Sequence, residues 1–162
     1  MSDIPIYSFV AFSGTGKTTL LEKLVAELKS RGLRVAVIKH DAHEFDIDHE
    51  GKDSWRFSRA GADITVVVSA TKAAVIENRP VRLETLLDRI TDVDIILTEG
   101  YKYGTWPKIA VRRFDSGNPL ALPPEECFAI VSDVPEQTET PCFGLDNVRS
   151  LADFIISDMS GK

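Results

Sequence analysis

Cysteine is scarce in this chain. Cys127 and Cys142 are the only two among 162 residues, and they form no Cys-x-x-Cys pair. That speaks against a disulfide framework or a cysteine zinc site, and each thiol is expected as a buried free sulfhydryl beside a strand. No apolar run approaches the ~18 residues of a membrane span. The start, Met1-Ser2-Asp3-Ile4-Pro5, has neither the basic start nor the apolar block of a signal peptide, so a cytoplasmic location is expected, with no membrane partner. A basic stripe is missing too. With a net charge of −6, the chain is not expected to bind nucleic acid, and any anion must be held by a local site. Repeats and low-complexity linkers are absent.

What is present fits one α/β domain spanning residues 1–162, with 43% hydrophobic residues to fill its core. Ile6–Phe12, Leu33–Ile38, Ile64–Val68, Val93–Thr98 and Phe128–Val131 are continuous apolar runs. Such runs mark strands covered on both faces, as in a parallel sheet. Helical spacing occupies Thr18–Ser30, Lys52–Ala60, Leu83–Ile90 and Val148–Met159, with Gly32 and Gly61 as C-terminal stops. The alternation predicts a doubly wound, mostly parallel sheet flanked by helices. Two segments, Ala73–Ile76 and Ile109–Arg113, read as strands without a helix on one side. The first is expected to pair with Ile64–Val68 as a small extra antiparallel hairpin. Asp115–Glu126, rich in proline, reads as a loop.

Residues 11–18 read A-F-S-G-T-G-K-T, between an apolar strand and an amphipathic helix. That is the strand–loop–helix setting of a phosphate-binding P-loop. Gly14 and Gly16 let backbone N–H groups turn inward around a phosphate, and the helix start adds its positive dipole end. Ser13, Gly14, Thr15, Gly16, Lys17, Thr18 and Thr19 are the expected nucleotide contacts. Lys17 is placed to reach the β- and γ-phosphates and Thr18 to offer a hydroxyl to Mg²⁺. Ala11 stands where the motif has its first glycine, farthest from the phosphates.

Asp94-Ile95-Ile96-Leu97-Thr98-Glu99-Gly100 is an apolar strand ending in a carboxylate. Ligands of open α/β sheets sit at strand carboxyl ends, so Glu99 is expected to act on Mg²⁺ or on an attacking water. The segment Lys39–His49 holds all three histidines. It also leaves a strand end, and it is read as a nucleotide or substrate contact centred on Asp41, as a plain solvated loop, or as a metal site.

The P-loop S-G-T-G-K-T-T-L, together with V-I-K-H-D-A-H-E-F-D-I-D, G-K-D-S-W-R, A-G-A, T-E-G-Y-K and P-K-I-A-V, resembles the molybdopterin-guanine dinucleotide biosynthesis protein B (MobB) family. The resemblance runs from about Ile6 to Arg112 and more faintly to Ile156. It implies a GTP-binding adapter of P-loop NTPase fold with weak GTPase activity. Such adapters assist the MobA-type guanylyltransferase that joins GMP to molybdopterin. It also implies a homodimer, to which the Ala73–Ile76 hairpin is assigned. By the family pattern Gly14, Gly16, Lys17 and Thr18 serve phosphate and Mg²⁺, and Glu99 is the second acidic motif. Guanine recognition has no Asn/Thr-Lys-x-Asp sequence here, since Thr71-Lys72-Ala73-Ala74 lacks the Asp, and Asp133 is the alternative acceptor.

Two other readings stay open at this stage. A small-molecule kinase would use the same loop but needs lid arginines, and Arg112-Arg113 is the one adjacent pair. A metal-delivery GTPase would use His40, Asp41 and His43.

Overall fold

The computed structural model describes residues 4–40 and 45–161. They fall into two compact units.

The larger unit comprises residues 4–40 and 91–161. Its strands are β1 (Ile6–Val10), β2 (Val35–Lys39), β5 (Ile95–Glu99), β6 (Lys108–Arg112), β7 (Ala129–Ser132) and β8 (Cys142–Gly144), and its helices are α1 (Lys17–Ser30) and α4 (Val148–Ser160). All six strands are parallel, in the order β2-β5-β1-β6-β7-β8. The apolar runs form strands because both faces are buried. Tyr7, Phe9, Leu97, Ile109 and Val131 pack under Leu20, Leu24 and Leu28 of α1 and Leu151 and Ile155 of α4. On the opposite face Val10, Ala110 and Ile130 are covered by Leu120, Ala121 and Leu122. The proline-rich segment expected as a loop thus acts as a lid on the sheet. It carries short 3-10 turns at Phe114–Ser116 and Pro124–Glu126.

Polar ties complete this unit. Tyr7 donates to Asp158 at 2.5 Å across the sheet–α4 interface, and burial pushes its hydroxyl far above the usual phenol range. Arg34 and Asp94 clamp the starts of β2 and β5, with Arg34 N–H and Nη2 donating to Asp94 at 2.7 and 2.9 Å.

The smaller unit spans residues 45–90. It contains α2 (Asp53–Arg59), β3 (Ile64–Val68), β4 (Ala73–Glu77) and α3 (Leu83–Arg89). β3 and β4 form the expected antiparallel hairpin, with Val66 opposite Val75. Glu77 is held by Arg79 and Arg89.

Two expectations change. Cys142 is exposed and only Cys127 is half-buried, although both thiols are free. β8, three residues long, has no counterpart in the sequence reading, because so short a run carries no periodicity. No described helix is long and apolar enough to cross a membrane.

Candidate functional site: a phosphate loop facing a strand-end carboxylate

β1 ends at Val10 and feeds the loop that starts α1. Gly14 and Gly16 adopt φ of 77° and 82°, the left-handed region that a Cβ disfavours. Thr15 between them is buried, and its hydroxyl donates to the Phe12 carbonyl at 3.0 Å, bracing the loop. Gly16 caps α1 with no side-chain hydrogen bond. The N–H groups of the first turn and the positive helix end therefore face whatever anion the loop surrounds.

Lys17 and Thr18 open α1 and both turn to Glu99. Thr18 Oγ1 donates to the Glu99 carboxylate, at 3.2 Å from Oε2 and 3.3 Å from Oε1, and Lys17 Nζ lies 3.9 Å from Oε1. Glu99 reaches this place because β5 lies beside β1, with Phe9 opposite Glu99 in register. The two strands are locked by a buried hydrogen bond in which Thr98 Oγ1 donates to Ser8 Oγ at 2.9 Å. After Glu99 the chain turns sharply. Gly100 has φ of 106°, its N–H donates to Phe9 at 2.9 Å, and a Cβ there would sit 3.2 Å from His40 Cβ. Tyr101 is a left-handed non-glycine residue (φ 57°) whose ring stacks on His40 at 4.7 Å. Strain of this kind clusters at functional sites.

Of the other residues expected here, Ser13 and Thr19 are exposed on the loop and the first turn of α1. Asp41 and His43 lie outside the described residues. Among the described residues no group of three or more His, Cys, Asp or Glu side chains is arranged to hold a metal. A magnesium ion that accompanies a triphosphate takes hard oxygen ligands, and the Thr18 hydroxyl beside the Glu99 carboxylate fits that donor set.

Of the next layer the sequence reading named only Asp133, as an acceptor for guanine. Val10 pairs with Ala110, so β6 runs on past the end of β1, and Arg112 and Arg113 arrive at the level of the phosphate loop. Ser132 is opposite Arg112, and Gly144 is opposite Ser132. Arg113, Asp133 and Leu145-Asp146 therefore form a row just beyond three strand ends. With Gly16, Thr19, Leu20 and Lys23 they enclose a cavity of about 110 Å³.

Each member of the row is oriented. Arg112 is occupied by Glu136, at 2.8 and 3.0 Å. Arg113 lies over the loop, with Nη2 3.2 Å from where a Gly16 Cβ would stand. The Phe114 N–H donates to Asp133 Oδ1 at 2.8 Å, which steers the carboxylate, and Lys23 pairs with Asp146 at 2.8 Å. The Lys23 ammonium holds the Asp146 carboxyl below the usual range. Only the register of β6, invisible in one sequence, signals Arg113.

Ligands of open α/β sheets bind where strand order reverses about a central strand. Here that strand is β1, with β5 on one side and β6 on the other. The phosphate loop, Glu99 and the Arg113–Asp133 row all lie at this point.

Residues 6–133 match the family model described as molybdopterin guanine dinucleotide synthesis protein B. A molybdopterin-guanine dinucleotide biosynthesis adapter protein of Escherichia coli is 38% identical, covering 96% of this chain and 94% of that protein. Its namesake in Haemophilus influenzae is 36% identical, covering 95% and 89%. The crystal structure of Bacillus subtilis MobB superposes with a TM-score of 0.79 at 27% identity, covering 98% of this chain and all of that one. The chain belongs to the molybdopterin guanine dinucleotide synthesis protein B family.

Proposed function

We propose that this chain is a GTP-binding adapter with weak GTPase activity that assists the attachment of GMP to molybdopterin. The reading rests on the convergence of Lys17 and Thr18 on Glu99 at the switch point of the sheet. The Lys17 ammonium binds the β- and γ-phosphate oxygens alongside the first-turn N–H groups of α1. Magnesium, when bound through Thr18 and Glu99, neutralises phosphate charge. Glu99 orients the water that attacks the terminal phosphate.

The base and the α-phosphate belong to the cavity beyond β6, β7 and β8. Arg113 covers it from the loop side, and Asp133 accepts from N1–H and the 2-amino group of guanine. Arg113 borders Gly16 and Thr19 rather than Glu99, so its charge is assigned to binding rather than to the breaking bond. Gln137 is the only glutamine and stands on the 133–140 loop, beyond β7. Slow hydrolysis follows, because a well-placed partner arginine is worth about 10³–10⁵ in rate.

The adapter role is supported by the relatives' names, and its partner is the guanylyltransferase of the same pathway. Dimerisation through the β3–β4 hairpin is supported by Val66, Val68 and Val75, which are 59%, 74% and 60% exposed.

The test is calorimetric titration of GTP and ATP with magnesium, followed by steady-state hydrolysis with and without the guanylyltransferase. GTP is expected to bind in preference to ATP, Lys17→Ala to lose at least tenfold in affinity with an unchanged circular dichroism spectrum, and turnover to rise only with the partner. Turnover near the ~10 s⁻¹ enzyme median without a partner overturns the adapter reading and favours a kinase or stand-alone hydrolase.

A further inference from the structure

The peptide that follows Glu99 is fixed from both neighbouring strands. Its carbonyl accepts from the His40 N–H at 2.9 Å, just past β2, and its N–H, that of Gly100, donates to the Phe9 carbonyl of β1 at 2.9 Å. The next residue is Tyr101, with φ of 57°. A residue with a side chain keeps that conformation only where its surroundings impose it.

Two rings supply that constraint. The His40 imidazole lies within 21° of parallel to the Tyr101 ring, with centroids 4.7 Å apart, and the Trp106 indole meets the same ring nearly perpendicular at 5.8 Å. Both are favourable geometries for ring pairs. The loop between Tyr101 and Trp106 is closed by the Gly104 N–H, which donates to the Tyr101 carbonyl at 3.0 Å. A Cβ on Gly104 would stand 3.3 Å from the indole, so glycine lets the loop fold this closely. Beyond Trp106 the Pro107 carbonyl accepts from the Ser8 N–H at 2.9 Å, which returns the loop to β1. Ser8 also takes the Thr98 hydrogen bond that joins β1 to β5. A closed circuit of contacts surrounds Glu99, and His40 is its member from the β2 side.

The contacts of the carboxylate itself are long, at 3.2 and 3.3 Å from Thr18 and 3.9 Å from Lys17, against about 2.7 Å for an ordinary O–H···O bond. They hold Glu99 loosely, so its place depends on the backbone that carries it. We propose that His40 is a positioning residue for Glu99: its ring, stacked on Tyr101, holds the Gly100-Tyr101 turn and so keeps the carboxylate beside Thr18. The proposal rests on the reading of Glu99 as the group that orients the attacking water. The imidazole serves as a flat surface, and its nitrogens take no part, which sets this role apart from metal ligation or proton transfer.

The test is single-turnover GTP hydrolysis with magnesium beside calorimetric GTP titration, for wild type, His40→Ala, His40→Gln and His40→Phe. His40→Ala and His40→Gln are each expected to slow hydrolysis about tenfold, because a small displacement of a group acting at the reacting centre is costly in rate. GTP affinity should change by less than about threefold. His40→Phe, a ring without nitrogens, should restore the rate to within about twofold of wild type. Tyr101→Ala should reproduce the loss, and the His40→Ala, Tyr101→Ala double variant should be no slower than either alone, as for two halves of one contact. A readout without nucleotide accompanies these. Trp55 and Trp106 are the only tryptophans, so in a Trp55→Phe background the emission reports Trp106. It should shift with His40→Ala and not with His40→Phe. If His40→Ala fails to fold, the comparison of His40→Gln with His40→Phe carries the same decision. Hydrolysis by His40→Ala as fast as by wild type, His40→Phe as slow as His40→Ala, affinity lost in step with rate, or Trp106 emission indifferent to His40→Ala overturns this proposal alone. A wild type that does not hydrolyse GTP overturns the hydrolysis reading and this proposal together.

Discussion

Thr18 Oγ1 lies within 3.3 Å of both carboxylate oxygens of Glu99, although 81 positions separate them. α1 supplies the hydroxyl and β5 the carboxylate, so neither element alone makes the site. Glu99→Gln keeps the shape and removes the charge. GTP hydrolysis is expected to fall by at least tenfold, with GTP affinity changed less than threefold, because a group acting on water contributes mainly in the transition state. Parallel titration and single-turnover measurements check the split. Equal losses in both would make Glu99 a ground-state ligand.

Arg113 leans over the phosphate loop without an ion-pair partner among the described residues, whereas its neighbour Arg112 is taken by Glu136. Arg113→Ala is expected to weaken GTP and GDP binding by tenfold or more while leaving the melting temperature within about 2 °C. Arg112→Ala is expected to do the reverse, lowering stability through the lost Glu136 pair. Thermal melts beside nucleotide titrations distinguish the two arginines.

Asp133 is steered by the Phe114 N–H through one oxygen, leaving the other for a ligand. Asp133→Asn replaces that acceptor with an amide donor, which suits the 2-oxo group of xanthine and opposes the 2-amino group of guanine. GTP affinity should drop by about tenfold or more for the lost charged hydrogen bonds, and XTP affinity should rise. Unchanged GTP and XTP affinities would take the base away from this cavity.

Asp94 is clamped by Arg34, whose hydrogen bonds and charge hold its carboxyl down at about 2. A folded value below the unfolded one stabilises the chain above the unfolded value and loses that contribution as pH falls through the folded one. Melting temperatures of wild type and Asp94→Asn should therefore differ at pH 5 to 7 and converge between pH 4 and pH 2. The expected gap is small, because the Arg34 side chain is about half exposed and that of Asp94 about a third, so water screens the pair.

The β1–loop–α1 unit was legible because its signal is contiguous: an apolar run, two glycines, Lys-Thr, then a helical stripe. Glu99 was legible because it closes an apolar strand in a chain that also carries a phosphate loop; by itself a strand-end glutamate reads as a solvated acid. Arg113 was not, since its position depends on how far β6 slides along β1, and inter-strand register leaves no trace in a single sequence. Asp133 was half legible: its strand could be read, but not the Phe114 amide that aims it. The 120–122 cover on the sheet was hidden for another reason, because prolines mark the absence of helix without saying what a loop packs against.

The Ser8–Thr98 hydrogen bond has a mechanical consequence. It is fully buried, between strands that each pack on both faces. β1 and β5 therefore behave as one rigid plate, and the distance between the phosphate loop and Glu99 cannot be tuned by sliding one strand past the other. Any difference between triphosphate- and diphosphate-loaded states would have to leave the plate through the segments that follow its two strands, the 11–16 loop and the turn at Gly100-Tyr101. A partner that reads the nucleotide state would thus sense those two segments, with the exposed Tyr103 as the nearest large side chain beyond the second.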